Sequence, residues 1–141
     1  MAFKRILIAV DSSEIGSHAT LVGLQLASAL SAQVGFIHAI APAISDGAWI
    51  AVASPELAQT TDEISQVLTT LRGQVPIPEE AARFLPVGPA VESITGAARD
   101  WSADLVAIGS HGRNGLDRVL LGSVAEGVAR YARCPVLIVR K

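Results

Sequence analysis

The amino-acid sequence predicts an α/β domain, a five-stranded parallel sheet covered by helices on both faces, and two patterns carry that prediction. Apolar runs recur at Ile6 to Val10, Val34 to Ile40, Leu105 to Ile108 and Val136 to Val139. Uninterrupted runs of this kind mark strands buried on both faces rather than on one side of a solvated sheet. Helix-period segments fill the intervals, giving β-α-β-α-β-α-β-α-β, an alternation that right-handed crossovers turn into a parallel sheet. A chain of 141 residues suits one core and buries roughly two-thirds of its unfolded surface. No linker, internal repeat or low-complexity tract divides it, so residues 1–141 read as one domain.

Taken in order, the first strand leads into a helix whose buried stripe is read from Ile15, Ala19, Val22, Leu26 and Ala29, at steps of three or four. The second strand contains His38, read as a satisfied core histidine. Pro42 to Ser54 is the longest irregular stretch, rich in Ala, Ser and Gly with Trp49 inside it, a flap or a mobile connection. Pro55 to Leu71 reads as a helix opened by a proline in its first turn. Ala81 to Val87 supplies the fifth strand, placed at an edge because Pro86 cannot donate to a ladder. Val91, Ile94, Ala98 and Trp101 describe the next helix, and Val124, Val128 and Ala132 the last.

Composition removes several classes of function. Half of the residues are hydrophobic and 17% are charged, too apolar for a disordered chain and without the long apolar stretch of a membrane span. Net charge is -2 and the arginines are scattered, so there is no electrostatic footprint for nucleic acid or an anionic membrane. Met1 to Arg5 runs directly into a strand with no signal core, and the expected location is the cytoplasm. Cys134 stands alone; it makes neither an internal disulfide nor a multi-thiolate metal site and reads as a small buried side chain before Pro135.

An open parallel sheet binds ligands outside the carboxyl ends of its strands, where successive crossovers switch direction. Asp11 stands directly after the first strand, as a ligand for a ribose hydroxyl, as a capping box with Glu14, or as both together. After the fourth strand comes a loop with four glycines, Gly109, Gly112, Gly115 and Gly122, ending at Ser123 where the last helix begins. Glycine lets backbone amides come close to phosphate oxygens or adopt positive φ, and the uncapped amides of a helix start favour an anion. Ser123 and Glu126 also have capping-box spacing, so an ordinary turn is the competing reading. A P-loop is excluded by the missing G-x-x-x-x-G-K-[ST] string, and a dinucleotide fingerprint by the missing G-x-G-x-x-G after the first strand. His111 has no histidine or carboxylate cluster for zinc, and Ser110, His111 and Asp117 are too close in sequence for a convincing triad.

The spacing Gly109-x2-Gly112-x9-Gly122-Ser123 resembles the G-x2-G-x9-G-[ST] signature of ATP-binding universal stress proteins. The opening Ile6 to Ser13, the Ile37-His38-Ala39 segment and the ending Cys134 to Val139 are similar to family segments too. The resemblance implies a doubly wound sheet of order 3-2-1-4-5, with adenine held at Ala9, Val10 and Ala39 and ribose at Asp11. It implies ribose and phosphates along Ile108, Gly109, His111 and Gly112, and phosphates closed by Gly122, Ser123 and Val124. Magnesium or manganese would bridge the phosphate oxygens of ATP. The implied function is a nucleotide-dependent regulatory or stress-response protein; the alternative is a slow ATPase or self-phosphorylating enzyme. A homodimer through Pro135 to Lys141 is expected as well, because an apolar strand at a sheet edge needs a partner. Position 39 is alanine where the family often has valine, which implies a shallower adenine wall and weaker discrimination among bases.

Overall fold

The computed structural model describes residues 2–41, 43–45, 48–50, 64–111 and 121–141. Strands β1 (Arg5–Ala9), β2 (Gln33–Ile37), β5 (Ala82–Phe84), β6 (Leu105–Gly109) and β7 (Val136–Val139) form one parallel sheet in the order β5-β2-β1-β6-β7. Counted among themselves these are strands 3-2-1-4-5, the expected doubly wound order, and β1 is the switch point. Helices α1 (Glu14–Leu30), α3 (Ala90–Asp100) and α4 (Ser123–Tyr131) are joined by α2, whose described part is 64–71. The expected proline start of α2 lies outside the described residues.

Alternation along the strands makes two cores. Ile6, Ile8, Phe36 and Ala107 point to the face covered by α1 and α2, where they meet Leu24, Ala27, Ile64, Val67 and Leu68. Leu7, Ile37, Val106 and Ile108 point to the face of α3 and α4, against Ile94, Ala98, Ala125 and Val128. A strand buried on both faces has no polar side to show, hence its continuous apolar sequence. Cys134 is half-buried beside this second cluster. Desolvation chiefly, with Asp104 adding, raises its thiol pKa against a weaker lowering by a backbone hydrogen bond.

Three expectations need correction. The buried face of α1 is Gly16, Ala19, Thr20, Gly23, Leu24 and Ala27, while Ala29 is exposed and Val22 and Leu26 are half-buried. Small residues face the sheet because the helix lies so close: a Cβ on Gly23 would stand 2.9 Å from Ile8 side-chain carbons. In α4 the buried residues are Ala125 and Val128, and Val124 is exposed. Within the stretch read as irregular, β3 (Ala43–Ser45) and β4 (Ala48–Ile50) pair antiparallel. Asp46-Gly47, between them in sequence, lies outside the described residues and is a dipeptide type favoured in two-residue hairpin loops. No helix among the described residues is long and apolar enough to cross a membrane.

Candidate functional site

The loops that follow β1, β2 and β6 and the first turns of α1, α3 and α4 surround a cavity of about 320 Å³. βα connectivity forces this arrangement, since each strand delivers its carboxyl end, and each following helix its amino end, to the same side of the sheet. Ala9, Val10, Asp11, Ala39, Ile108, Gly109, His111, Gly122, Ser123 and Val124 all line it. Gly112, also expected there, lies outside the described residues, as does Asp117.

On the β1 side, Asp11 does not cap α1. The cap is Ser13, whose Oγ accepts from Gly16 N at 3.0 Å. Asp11 Oδ1 accepts from Ser13 N at 2.8 Å and also from the Ser13 hydroxyl, so the aspartate holds the cap. A Cβ on Gly16 would lie 2.1 Å from that same Oδ1, and glycine is what lets the carboxylate rest over the first helical turn. Glu14, the other half of the expected capping box, instead pairs with Lys141. Ser13 and Gly16 were missed as site residues; a glycine five positions after a strand-end aspartate was the available signal.

His38 lies just past β2, not inside it, and is half-buried. Its Nδ1 is 2.7 Å from Val10 O. A carbonyl oxygen only accepts, so Nδ1 carries the proton and donates. His38 N donates to Phe84 O at 3.1 Å and Ile40 N to Pro86 O at 2.8 Å. Both bonds run towards the β5 side, whereas the intervening Ala39 lines the cavity and neither of its main-chain groups is paired among the described residues.

Where β6 meets α4, Ser110 is 4% exposed and ties three elements. Its N–H donates to Val139 O at 2.9 Å, its carbonyl accepts from Gly122 N at 2.7 Å, and its Oγ is 3.2 Å from His111 Nδ1. Gly122 is the N-cap residue of α4 at φ -63°, with no side-chain cap, and Ser123 is the first helical residue rather than the cap. Close approach, not positive φ, requires glycine here: a Cβ on Gly122 would be 2.8 Å from Ser110 O and 3.3 Å from His111 Cα. Glu126 N closes the first helical bond, to Gly122 O at 2.9 Å, so the amides of Ser123, Val124 and Ala125 have no carbonyl four residues back inside the helix. They form the positive end of a helix dipole at the cavity wall.

From α3 come Ala90 and Ile94, which with Ile37 and Ile108 give the cavity an apolar wall. The cavity wall thus combines apolar side chains at the strand ends, the Asp11 carboxylate and the uncapped amides that open α4. That arrangement suits a ligand with a flat apolar part, hydroxyls and an anionic tail. Among the described residues no three His, Cys, Asp or Glu side chains gather to hold a metal ion.

The sequence profile described as the universal stress protein family matches residues 2–140. A universal stress protein of Methanocaldococcus jannaschii is 32% identical over 99% of this chain and 83% of its own length. Universal stress protein A homolog 2 of Coxiella burnetii is 33% identical over 98% and 95%. Among solved structures, a universal stress protein in complex with cAMP superposes with a TM-score of 0.74 at 23% identity, covering 99% of this chain and 98% of the other. The universal stress protein from Archaeoglobus fulgidus in complex with dAMP gives 0.71 at 19% identity, over 99% and 100%. With its profile matched almost end to end and its relatives matched over most of their length, the chain belongs to the universal stress protein family.

Proposed function

We propose that this protein binds ATP in the cavity at the carboxyl ends of β1, β2 and β6 and acts as a nucleotide-dependent regulatory protein of the stress response in the cytoplasm. One observation carries the reading: every expected nucleotide-site residue within the described part of the chain lines the same cavity. Adenine lies in the cleft between Ala9, Val10 and Ala39, ribose meets Asp11, and the phosphates run past Ile108, Gly109 and His111 to the amides of Ser123 and Val124 beyond Gly122. Relatives of the same fold that hold cAMP and dAMP support the adenine part. Magnesium or manganese would be carried on the phosphate oxygens of the bound ATP.

The main chain of Ala39 supports a preference for adenine. Its N–H and C=O match adenine N1 and the N6 amine, whereas guanine offers N1–H and O6, setting donor against donor and acceptor against acceptor. Each group left unpaired costs about 1–3 kcal/mol, so ATP binds at least about tenfold more tightly than GTP despite the small side chain at position 39. Binding rather than turnover fits the side chains, because Asp11 is engaged by Ser13 and His38 by Val10, and phosphoryl transfer needs a group that positions the nucleophile. The signal leaves through β7, where two copies pair across a two-fold axis. The experiment is mass spectrometry of the ligand released from protein purified without added nucleotide, followed by thermal shift of the stripped protein. An adenine nucleotide in the released fraction and a shift with ATP are expected; no shift with ATP, AMP or NAD defeats the proposal.

A further inference from the structure

We infer that His38 ends the β1–β2 ladder one rung early and thereby keeps the amide of Ala39 available to the ligand. This inference rests on the adenine reading of the cavity. The register of the two strands runs from Arg5 opposite Gln33 to Ala9 opposite Ile37. Gln33 N donates to Lys4 O at 2.8 Å, and Val10 N donates to Ile37 O at 2.9 Å. Parallel pairing advances by two residues per rung on each strand, so the next rung after the Val10 bond is Ala39 N–H to Val10 O. That rung is absent. The imidazole of His38 occupies Val10 O instead, at 2.7 Å, and both strands end before it, at Ala9 and Ile37.

A side-chain donor has therefore replaced a main-chain donor at one carbonyl. Buried carbonyls need a partner, and if the histidine did not provide it the neighbouring amide would. The imidazole satisfies Val10, the strand ends stay apart, and the N–H of Ala39 is left to the cavity with no competitor among the described residues. His38 is a positioning residue: it acts on the base through Ala39.

The test combines amide hydrogen exchange of the nucleotide-free protein with ATP titration, on the parent, His38→Leu and His38→Asn. In the parent, Ala39 N–H exchanges much faster than Ile37 N–H. Leucine removes the donor, so the extra rung closes: Ala39 exchange slows towards that of Ile37, and ATP affinity falls about five- to tenfold, the weight of one hydrogen bond. Asparagine carries an N–H near the position of Nδ1 and restores both readouts. Nitrogen-15 spectra of the parent imidazole, which need no variant, report protonation at Nδ1. The inference is overturned by an Ala39 amide as protected as Ile37 in the parent, by an Nε2-protonated tautomer, or by a His38→Leu protein unchanged in exchange and affinity. A parent that binds no adenine nucleotide removes the ligand half and the proposed function with it, while exchange still decides the ladder half.

Discussion

At Ser123 a single added charge acts with opposite signs on two quantities. The residue is exposed, opens α4 and makes no cap bond, so Ser123→Glu places a carboxylate on the positive end of the helix, stabilising it by about 0.3–1 kcal/mol. The same carboxylate repels phosphate. We predict a melting temperature equal to or above that of the parent, with ATP binding lost; retained binding would move the phosphates away from this helix start. Asp11→Asn separates roles in a similar way. Asparagine Oδ1 still accepts from Ser13, so loop and helix cap persist, while the loss of the negative charge weakens the hydrogen bond to a ribose hydroxyl. Calorimetry should show ATP binding several-fold weaker, roughly the 1 kcal/mol difference between charged and neutral acceptors, with stability little changed. Gly122→Val is a poorer probe, because a side chain there would meet Ser110 O at 2.8 Å and disturb the β6–α4 junction even without a ligand.

Among the elements, β7 has consequences beyond its own length. It is an edge strand tied to the site through Ser110 N to Val139 O, and Lys141 just beyond it pairs with Glu14 at the start of α1, so the proposed dimer edge and the proposed ligand site share a hydrogen-bonded junction. Val106 N donates to Pro135 O and Ser110 N to Val139 O, so residues 135, 137 and 139 turn their main-chain groups to β6. Those of Val136 and Ile138 face the open edge. Proline is tolerated where the N–H points away from the ladder, which makes Ile138→Pro the informative variant and Leu137→Pro a disruptive one. Sedimentation equilibrium should find a dimeric parent and a folded, monomeric Ile138→Pro; a dimeric variant would place the interface elsewhere.

Strands β1, β2 and β6 were legible because burial on both faces leaves an apolar run, whereas β5, with Arg83 exposed, has none. The contact face of α1 was not legible, because size-based reading favours Val22 and Leu26 whereas the closest approach is made by Gly16 and Gly23. The β3–β4 hairpin escaped a reading that weighed the abundance of Ala and Ser above the Asp46-Gly47 pair.

For the whole molecule, ligand binding and stability are linked, because the cavity is assembled from six chain segments and exists only in the folded state. If the proposed site binds ATP with magnesium, a concentration of about a hundred times the dissociation constant should add about 2.7 kcal/mol, read as a rise of several degrees in melting temperature for a domain of this size. Asp11, Gly109 and Gly122 were singled out by residue type alone, and the structure places all three on the cavity wall. The site was illegible where tertiary geometry decides. Nothing in the sequence reveals that His38 bonds Val10 O, that Ser13 rather than Asp11 caps α1, or that Ser110 joins β6, β7 and α4. The central claim is that the cavity reads adenine and holds phosphates, and titration calorimetry of nucleotide-free protein with ATP and GTP in magnesium tests it most directly. One ATP per chain, bound at least about tenfold more tightly than GTP, is the predicted result; no heat of binding with ATP, or equal affinity for the two, would contradict it.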